Sequence, residues 1–596
     1  MSSDSSGVPA GRKRWSALRQ AFVQLRQLAR RFLLVTIILI GVLCGLVAVS
    51  FHYLIEISTR LMIETMLGLP VPLRWAAIIL TPAAVAFALA LAIGRWAPGA
   101  GGANLARVRA AYQHDPALLN RRSLFATFFL TPLSLGSGVP LGPEGPTVVV
   151  TSGMSVGVAR LLRLPRRIVR GMIPVGTAAG IAAIFNTPIA AVVFALEEIL
   201  GTARRGVLGG AIVASVAAAV VERLMLGGQP LLAAPSARWV DVRELIGFAL
   251  VGIIAGIVSG SSIPLMRRWR RTLAEKIPAW PLRAAAAGAA IGAIGIVSPL
   301  IFGVGYGTVT EWLHGGGSLQ ESSIAFAVKT IAVIIAISAG LIGGTFAPSL
   351  FIGAALGSAV GHGFAFILPD ATINPGAYAL VGMGAFFAGL LRNPIASVLI
   401  VIELTQDYGL ILPLMLGVAL SISISRRISR FNLVEHQMRD EGYLEEGPED
   451  PSDPTLRMRV SEVMSSNPVT VTSGSTLLDA ARQIAGTRHH LYPIVDGQGH
   501  LQSLLPRDAI DEAARDGIVD RLVDDVAGDA LYTAREDDRL REVLPALARF
   551  RIHRCPVVAA DGSRRVVGML TPRDLLQARL KRLETPEDRD GMEEFD

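Results

Sequence analysis

From residue 32 to residue 424 the chain is a succession of apolar runs interrupted by glycine and proline, and several of these runs are too short to cross a bilayer. They cover residues 32–49, 75–93, 124–135, 147–161, 175–200, 209–221, 245–263, 284–301, 324–342, 349–367, 379–391, 395–404 and 410–424. A helix needs about 20 apolar residues to span the hydrocarbon core. Where a run falls short, the polypeptide enters the membrane part way and turns there. Lipid cannot satisfy backbone amides, so such turns are tolerated only inside protein or along a cavity. The pattern therefore excludes a plain bundle of full spans and points to a site built from broken helices. With 51% hydrophobic residues among 596, most of the chain belongs in a bilayer.

Two of the breaks match. Gly142-Pro143-Glu144-Gly145-Pro146 and Gly344-Thr345-Phe346-Ala347-Pro348 share Gly-x-x-x-Pro spacing, and each opens an apolar run. Proline in the first helical turn gives up an amide hydrogen that would be unbonded anyway, and glycine lets the backbone bend before it. Both loops read as helix N-termini, which favour negative charge. The match extends outward. At an offset of 202 positions Gly138 pairs with Gly340, Gly142 with Gly344 and Val158 with Val360. At 206, Val175-Gly176 pairs with Val381-Gly382, Pro188-Ile189-Ala190 with Pro394-Ile395-Ala396, and Glu197 with Glu403. Two related halves, each placing a helix N-terminus at one depth, are the architecture of a transporter with an anion site.

Charge and cysteine content narrow the function further. The net charge of +8 comes with basic residues beside the apolar runs, at 12–31, 163–170, 267–271 and 426–430. That distribution marks cytoplasmic edges of membrane helices and does not call for nucleic acid. The run 32–49 follows a basic segment without a small-x-small cleavage site, so it reads as a retained helix with a cytoplasmic N-terminus. The two cysteines, Cys44 and Cys555, fall in different regions and predict no disulfide. His489 and His490 have no metal-ligand spacing partner, and neither a metal site nor a nucleophile–base pair is expected, so the chain is not read as an enzyme.

Taken in this order, the motifs resemble those of the CLC family of chloride channels and anion/proton exchangers over about residues 33–437. Gly142 to Pro146 is similar to the family's Gly-Arg-Glu-Gly-Pro motif, and Gly344 to Pro348 to its Gly-x-Phe-x-Pro motif. Phe185-Asn186-Thr187-Pro188 through Glu197-Glu198 and Glu403-Leu404-Thr405 also fit. The resemblance implies a multi-pass helical membrane fold of two inverted repeats with tilted and broken helices, forming a homodimer with one pore per subunit in a bacterial inner (plasma) membrane, embedded in lipid. It implies that Glu144 is the gating carboxylate and Glu198 the internal proton-transfer carboxylate; a structural carboxylate is the other reading of Glu198, and the expected role of Glu197 and Glu403. Gly145, Gly344, Thr345, Phe346 and Ala347 would bind the anion, with amides solvating it and the Phe346 ring along the path.

The chain also departs from the family. Gly136-Ser137-Gly138-Val139-Pro140 has the composition of the family's serine loop but ends directly before the glutamate motif, too close for one helix to leave and another to enter. The position expected for that loop holds Gly101, Gly102, Ala103, Asn104 and Leu105, so Ala103 replaces the serine. Val434 stands where the family's tyrosine is expected, and Pro143 replaces the arginine beside the gate. The central anion site thus loses two hydroxyls, and the cargo is left open between chloride, fluoride, nitrate and bicarbonate.

Six segments are expected: a basic N-terminal segment at 1–31, the transport domain at 32–438, an acidic Pro-rich linker at 439–457, paired units at 458–515 and 516–585, and an acidic tail at 586–596. The paired units share Leu505-Pro506-Arg507-Asp508 with Thr571-Pro572-Arg573-Asp574, and Tyr492-Pro493-Ile494-Val495 with Cys555-Pro556-Val557-Val558. Their alternation of Val-rich strands and amphipathic helices predicts a cytoplasmic α/β module. It resembles a tandem CBS pair, which implies an adenine nucleotide (ATP, ADP or AMP) on Thr571 and Asp574, or else a purely structural clamp. No cofactor is required. The function expected is exchange of an anion for protons; the alternative is a passive voltage- or pH-gated anion channel on the same fold. A CBS-regulated divalent-cation channel is excluded by the polarity of the helix N-termini.

Overall fold

The computed structural model describes residues 10–101, 105–201, 205–228, 231–232, 243–368, 373–443, 454–487, 489–516, 518, 520–528, 532–550 and 552–583. They fall into two units, Met1–Tyr443 and Leu444–Asp596.

The first unit is built of helices. Its first half holds α1 (Ala10–Thr59), the short α2 (Thr65–Gly68), α3 (Leu73–Trp96), α4 (Leu105–Gln113), α5 (Arg121–Gly136), α6 (Glu144–Leu161), α7 (Arg166–Phe185), α8 (Pro188–Phe194) and α9 (Arg205–Leu226). Its second half holds α10 (Glu244–Lys276), α11 (Trp280–Val297), α12 (Tyr306–Leu313), α13 (Leu319–Ala339), α14 (Phe346–Ile367), α15 (Pro375–Leu391), α16 (Pro394–Thr405), α17 (Ile411–Ile428) and α18 (Leu433–Asp440). Among the described residues nine helices are long and apolar enough to cross a membrane. The run predicted over 175–200 is two helices. Asn186 turns left-handed at φ 54° and Pro188, which has no amide to continue the ladder, starts α8. A π-helical stretch over Ala195–Leu200 then carries Glu197 and Glu198. The expected linker start at 439 lies inside α18, which continues to Asp440.

The repeat seen in the sequence is a repeat of packing. α6 lies along α7, and α14 along α15. At both crossings a paired glycine stands in close contact with the facing helix: a Cβ on Gly176 would stand 2.6 Å from the Thr151 carbonyl oxygen, and one on Gly382 would stand 2.1 Å from that of Gly353. Small residues at such crossings let helix backbones approach where no hydrophobic force drives them together. The halves also cap each other. Glu197 accepts from the amides of Ile395 (3.2 Å) and Ala396 (2.9 Å) at the start of α16, while Glu403 accepts from Ile189 (3.2 Å) and Ala190 (2.6 Å) at the start of α8. Two-fold related halves make such reciprocal contacts, and the two carboxylates are structural, as the sequence reading has them.

The second unit contains two small sheets. β2 (Val471–Thr472), β3 (Leu491–Val495) and β4 (Leu501–Pro506) form one, while β1 (Ser465–Ser466), β7 (Val566–Leu570), β6 (Cys555–Val558) and β5 (Ala534–Arg535) form the other, in that order. Each repeat lends its opening segment to the other lobe. β1 pairs antiparallel with β7 of the second repeat, and Val523 of the second repeat is buried in the core of the first with Val471, Leu477 and Tyr492. The helices α19 (Leu477–Gln483), α20 (Arg507–Asp516), α21 (Leu540–Phe550) and α22 (Pro572–Leu583) flank the sheets.

Candidate functional site

The matching glycine loops meet. Gly142 donates its amide to the Gly344 carbonyl (2.8 Å) and accepts from the Gly344 amide (2.6 Å), a single antiparallel bridge between the two halves. α6 starts two residues after the first bridge residue and α14 two residues after the second, so both N-termini leave from one point. The approach is close enough to require glycine: a Cβ on Gly344 would stand 2.7 Å from the Gly145 amide nitrogen. The sequence reading treated the loops as two separate ends; their joining is a tertiary contact that only the symmetry of the spacing foreshadows.

Glu144, the first residue of α6, is 1% exposed. Its carboxylate turns across to the other half, where Oε2 accepts from the Ala347 amide of α14 (3.3 Å) and Oε1 from the Tyr306 hydroxyl of α12 (3.0 Å). An ionised carboxylate at a helix N-terminus occupies the place where that terminus would hold a free anion. A Cβ on Gly142 would lie 2.1 Å from Oε2, so the glycine also makes room for the carboxylate. Gly145, Gly344 and Ala347 therefore come together with Glu144. Thr345 precedes α14 without a side-chain cap, and Phe346 is buried among Phe185, Phe194 and Phe387 with ring centroids 4.7, 5.8 and 4.3 Å away. Tyr306 is a residue that sequence reading missed.

Glu198 is equally buried, at 1% exposed. Oε2 accepts from the Asn393 side-chain amide (2.8 Å), and Oε1 lies 3.5 Å from the Arg109 guanidinium, which also approaches Glu435 at 3.9 Å. Arg109 and Glu435 are partly exposed, so the buried carboxylate is one contact from groups that reach solvent. Arg109 and Asn393 were not foreseen either.

The remaining candidates divide. Gly102, Ala103 and Asn104 lie outside the described residues; Leu105 opens α4 and is buried. Val434 is buried in α18, an element packed against α4, α10 and α15 and started by an Asn432–Glu435 capping box. The Gly136–Pro140 run closes α5 and continues into the connection to α6, and its Ser137 hydroxyl donates to the Ser134 carbonyl (2.7 Å). A cavity of about 410 Å³ is lined by Gly101 and, among others, Arg107, Arg270, Arg283, Trp280, Glu441 and Tyr443. In the second unit Asp574 is already engaged: Oδ2 accepts from the Thr571 amide (2.8 Å) and hydroxyl (2.6 Å), and Oδ1 from Ser465 (2.8 Å). Among the described residues no group of three or more His, Cys, Asp or Glu side chains could hold a metal ion.

Comparison with known proteins gives this geometry a context. The family model "Voltage gated chloride channel" matches residues 84–426, and the CBS domain model matches 460–515 and 523–581. The chain is 30% identical over 396 residues to an H(+)/Cl(-) exchange transporter ClcA of Vibrio campbellii, covering 63% of this chain and 83% of that protein. It is 33% identical over 352 residues to a putative chloride channel protein ClcB-like of Ralstonia nicotianae, covering 58% and 81%. A crystal structure of a eukaryotic CLC transporter superposes with a TM-score of 0.66 at 18% identity, over 92% of this chain and 98% of that one, a likeness of fold.

Proposed function

This chain belongs to the voltage gated chloride channel (CLC) family and ends in a CBS pair, and from that premise we propose that it exchanges a chloride-like anion for protons across the membrane. One observation carries the reading: the Glu144 carboxylate sits on the α14 N-terminus, bonded to the Ala347 amide, where a transported anion would sit. Ionised, it competes with the anion for the same donors. Protonated, it loses the charge that the helix end favours and gives up the place. Each return of the carboxylate then releases a proton, and the two fluxes are coupled by mutual exclusion. Glu198 supplies the proton from the other side, its carboxylate held by Arg109, whose guanidinium also approaches the partly exposed Glu435. The same reading puts both termini in the cytoplasm, on the strength of the arginine clusters that flank the helices. It also pairs two copies of the chain through the apolar surface around Ile189 and Ile395, which are 60% and 58% exposed. The CBS pair regulates transport from the cytoplasm.

A passive channel is the second reading, favoured by one feature: the buried Val434 offers no hydroxyl to an anion. Flux in liposomes distinguishes the two. With an imposed chloride gradient and a pH readout, the wild type drives protons uphill, and Glu144→Gln abolishes proton movement while an anion leak remains. Wild-type anion flux with no accompanying protons would establish the channel. Repeating the gradient with fluoride, nitrate and bicarbonate identifies the cargo. Glu198→Gln is expected to remove proton flux and spare anion flux; unchanged coupling would return Glu198 to a structural role.

A further inference from the structure

Tyr306 has no part in the motifs, yet its hydroxyl is one of the donors on the Glu144 carboxylate, 3.0 Å from Oε1. The loop before it is anchored to two other helices. Lys329 of α13, a fully buried side chain, donates its Nζ to the carbonyls of Ile301 and Gly303, both at 2.7 Å, and the same Nζ lies 4.6 Å from the Phe351 ring of α14. Gly305, left-handed at φ 82°, faces that ring so closely that a Cβ would stand 2.6 Å from it. The phenol is therefore positioned with respect to α14, the helix whose first amides receive Glu144. Two donors of different helices, the Tyr306 hydroxyl and the Ala347 amide, converge on one anionic group.

We propose that Tyr306 binds the transported anion: its hydroxyl donates to the Glu144 carboxylate while that group fills the outer position and to the anion once Glu144 has left. This rests on the reading of Glu144 as a group that vacates its place. Its physical ground is that the hydroxyl, carried on a partly buried side chain, loses its charged acceptor when Glu144 leaves, and a charged acceptor holds such a donor more strongly than water does. The anion arrives as one. Tyr306 restores at the outer position a hydroxyl of the kind that Val434 does not supply. A hydrogen-bonding site discriminates against ligands that accept weakly, so the hydroxyl favours chloride and fluoride over large, diffuse anions such as iodide.

The test removes the gate first. In full-length Glu144→Ala protein the outer position is open to chloride, and calorimetric titration reads the affinity directly. Adding Tyr306→Phe, which deletes one oxygen and keeps the ring, is expected to weaken chloride binding about ten-fold, the scale of a hydrogen bond to a charged acceptor, and to reduce the preference for chloride over iodide. Unchanged affinity and unchanged preference would overturn the proposal and leave Tyr306 as a residue that only positions Glu144. Failure of the underlying reading shows separately, as Glu144→Ala protein that still couples protons to anion flux. Should Tyr306→Phe not fold, a fluorinated tyrosine at 306, a stronger donor of the same shape, should tighten chloride binding in Glu144→Ala; no change would again overturn it.

Discussion

At Gly142 one missing side chain serves two functions, since the residue carries the bridge to Gly344 and leaves space for the carboxylate of Glu144. Gly142→Ala places a methyl 2.1 Å from Oε2 and 3.1 Å from the Ala347 Cβ. The carboxylate has to leave, and the expected result is an anion leak at high pH, where the wild-type gate is ionised and closed, together with about 1–3 kcal/mol of lost stability. Liposome flux against pH, with thermal unfolding in detergent, checks both. Cys555 offers a prediction in the CBS unit. Burial pushes its thiol up to about 11 from the ordinary 9.0, so at neutral pH it is protonated and enclosed. Alkylation in a Cys44→Ala background should be slow at pH 7–8 and accelerate only as the pH approaches 11. Over that window the unfolded chain releases a proton that the folded one keeps, so stability falls as pH rises through it. Fast labelling at pH 7 would contradict the burial. Single residues were legible in the sequence where a motif is local: Glu144, Phe346 and Ala347 are singled out by the family resemblance of their motifs, and spacing alone marks only the two helix N-termini that carry them. Tyr306, Arg109 and Asn393 come from positions 162, 89 and 195 residues away from the carboxylates they touch, and no spacing rule reaches that far.

Among the elements, apolar length and proline positions located most helices, while α4, α12 and α18 are short and mixed in polarity and left no periodic signal. The break inside 175–200 was readable in Asn186-Thr187-Pro188, but an unbroken apolar composition on both sides concealed it. The matched offsets proved more informative than the individual runs, because Gly176 and Gly382, paired in the sequence as part of an internal repeat, occupy equivalent crossings. Glu197 and Glu403 test that equivalence. Each closes two amides at the start of a helix in the other half, so Glu197→Ala and Glu403→Ala should lower stability by similar amounts, about 1–2 kcal/mol each. Detergent unfolding curves that differ widely between the two would show the halves to be unequal. In the CBS unit, Asp574→Ala removes three accepted hydrogen bonds and should destabilise the second CBS lobe by about 1–2 kcal/mol. Calorimetry with ATP on the same variant separates the clamp from a nucleotide site: wild-type binding that vanishes with Asp574 establishes the site, and silence in both leaves the clamp.

For the whole molecule, the sequence distinguished an apolar membrane part from a polar α/β part by composition alone, and the boundary near residue 443 lies close to where hydropathy ends. The exchange of opening segments between the CBS lobes was not legible, because strands of two residues carry no pattern. The membrane unit has a corresponding exchange at larger scale, in which each half closes the exposed amides of the other and the Gly142–Gly344 bridge joins them at the centre. Contacts of this kind are made between surfaces and not along a connection, so the peptide linking the halves is dispensable to them. A gene cut within residues 233–242 and expressed as two polypeptides should yield fragments that find each other in the membrane and co-purify, each one serving as the other's template.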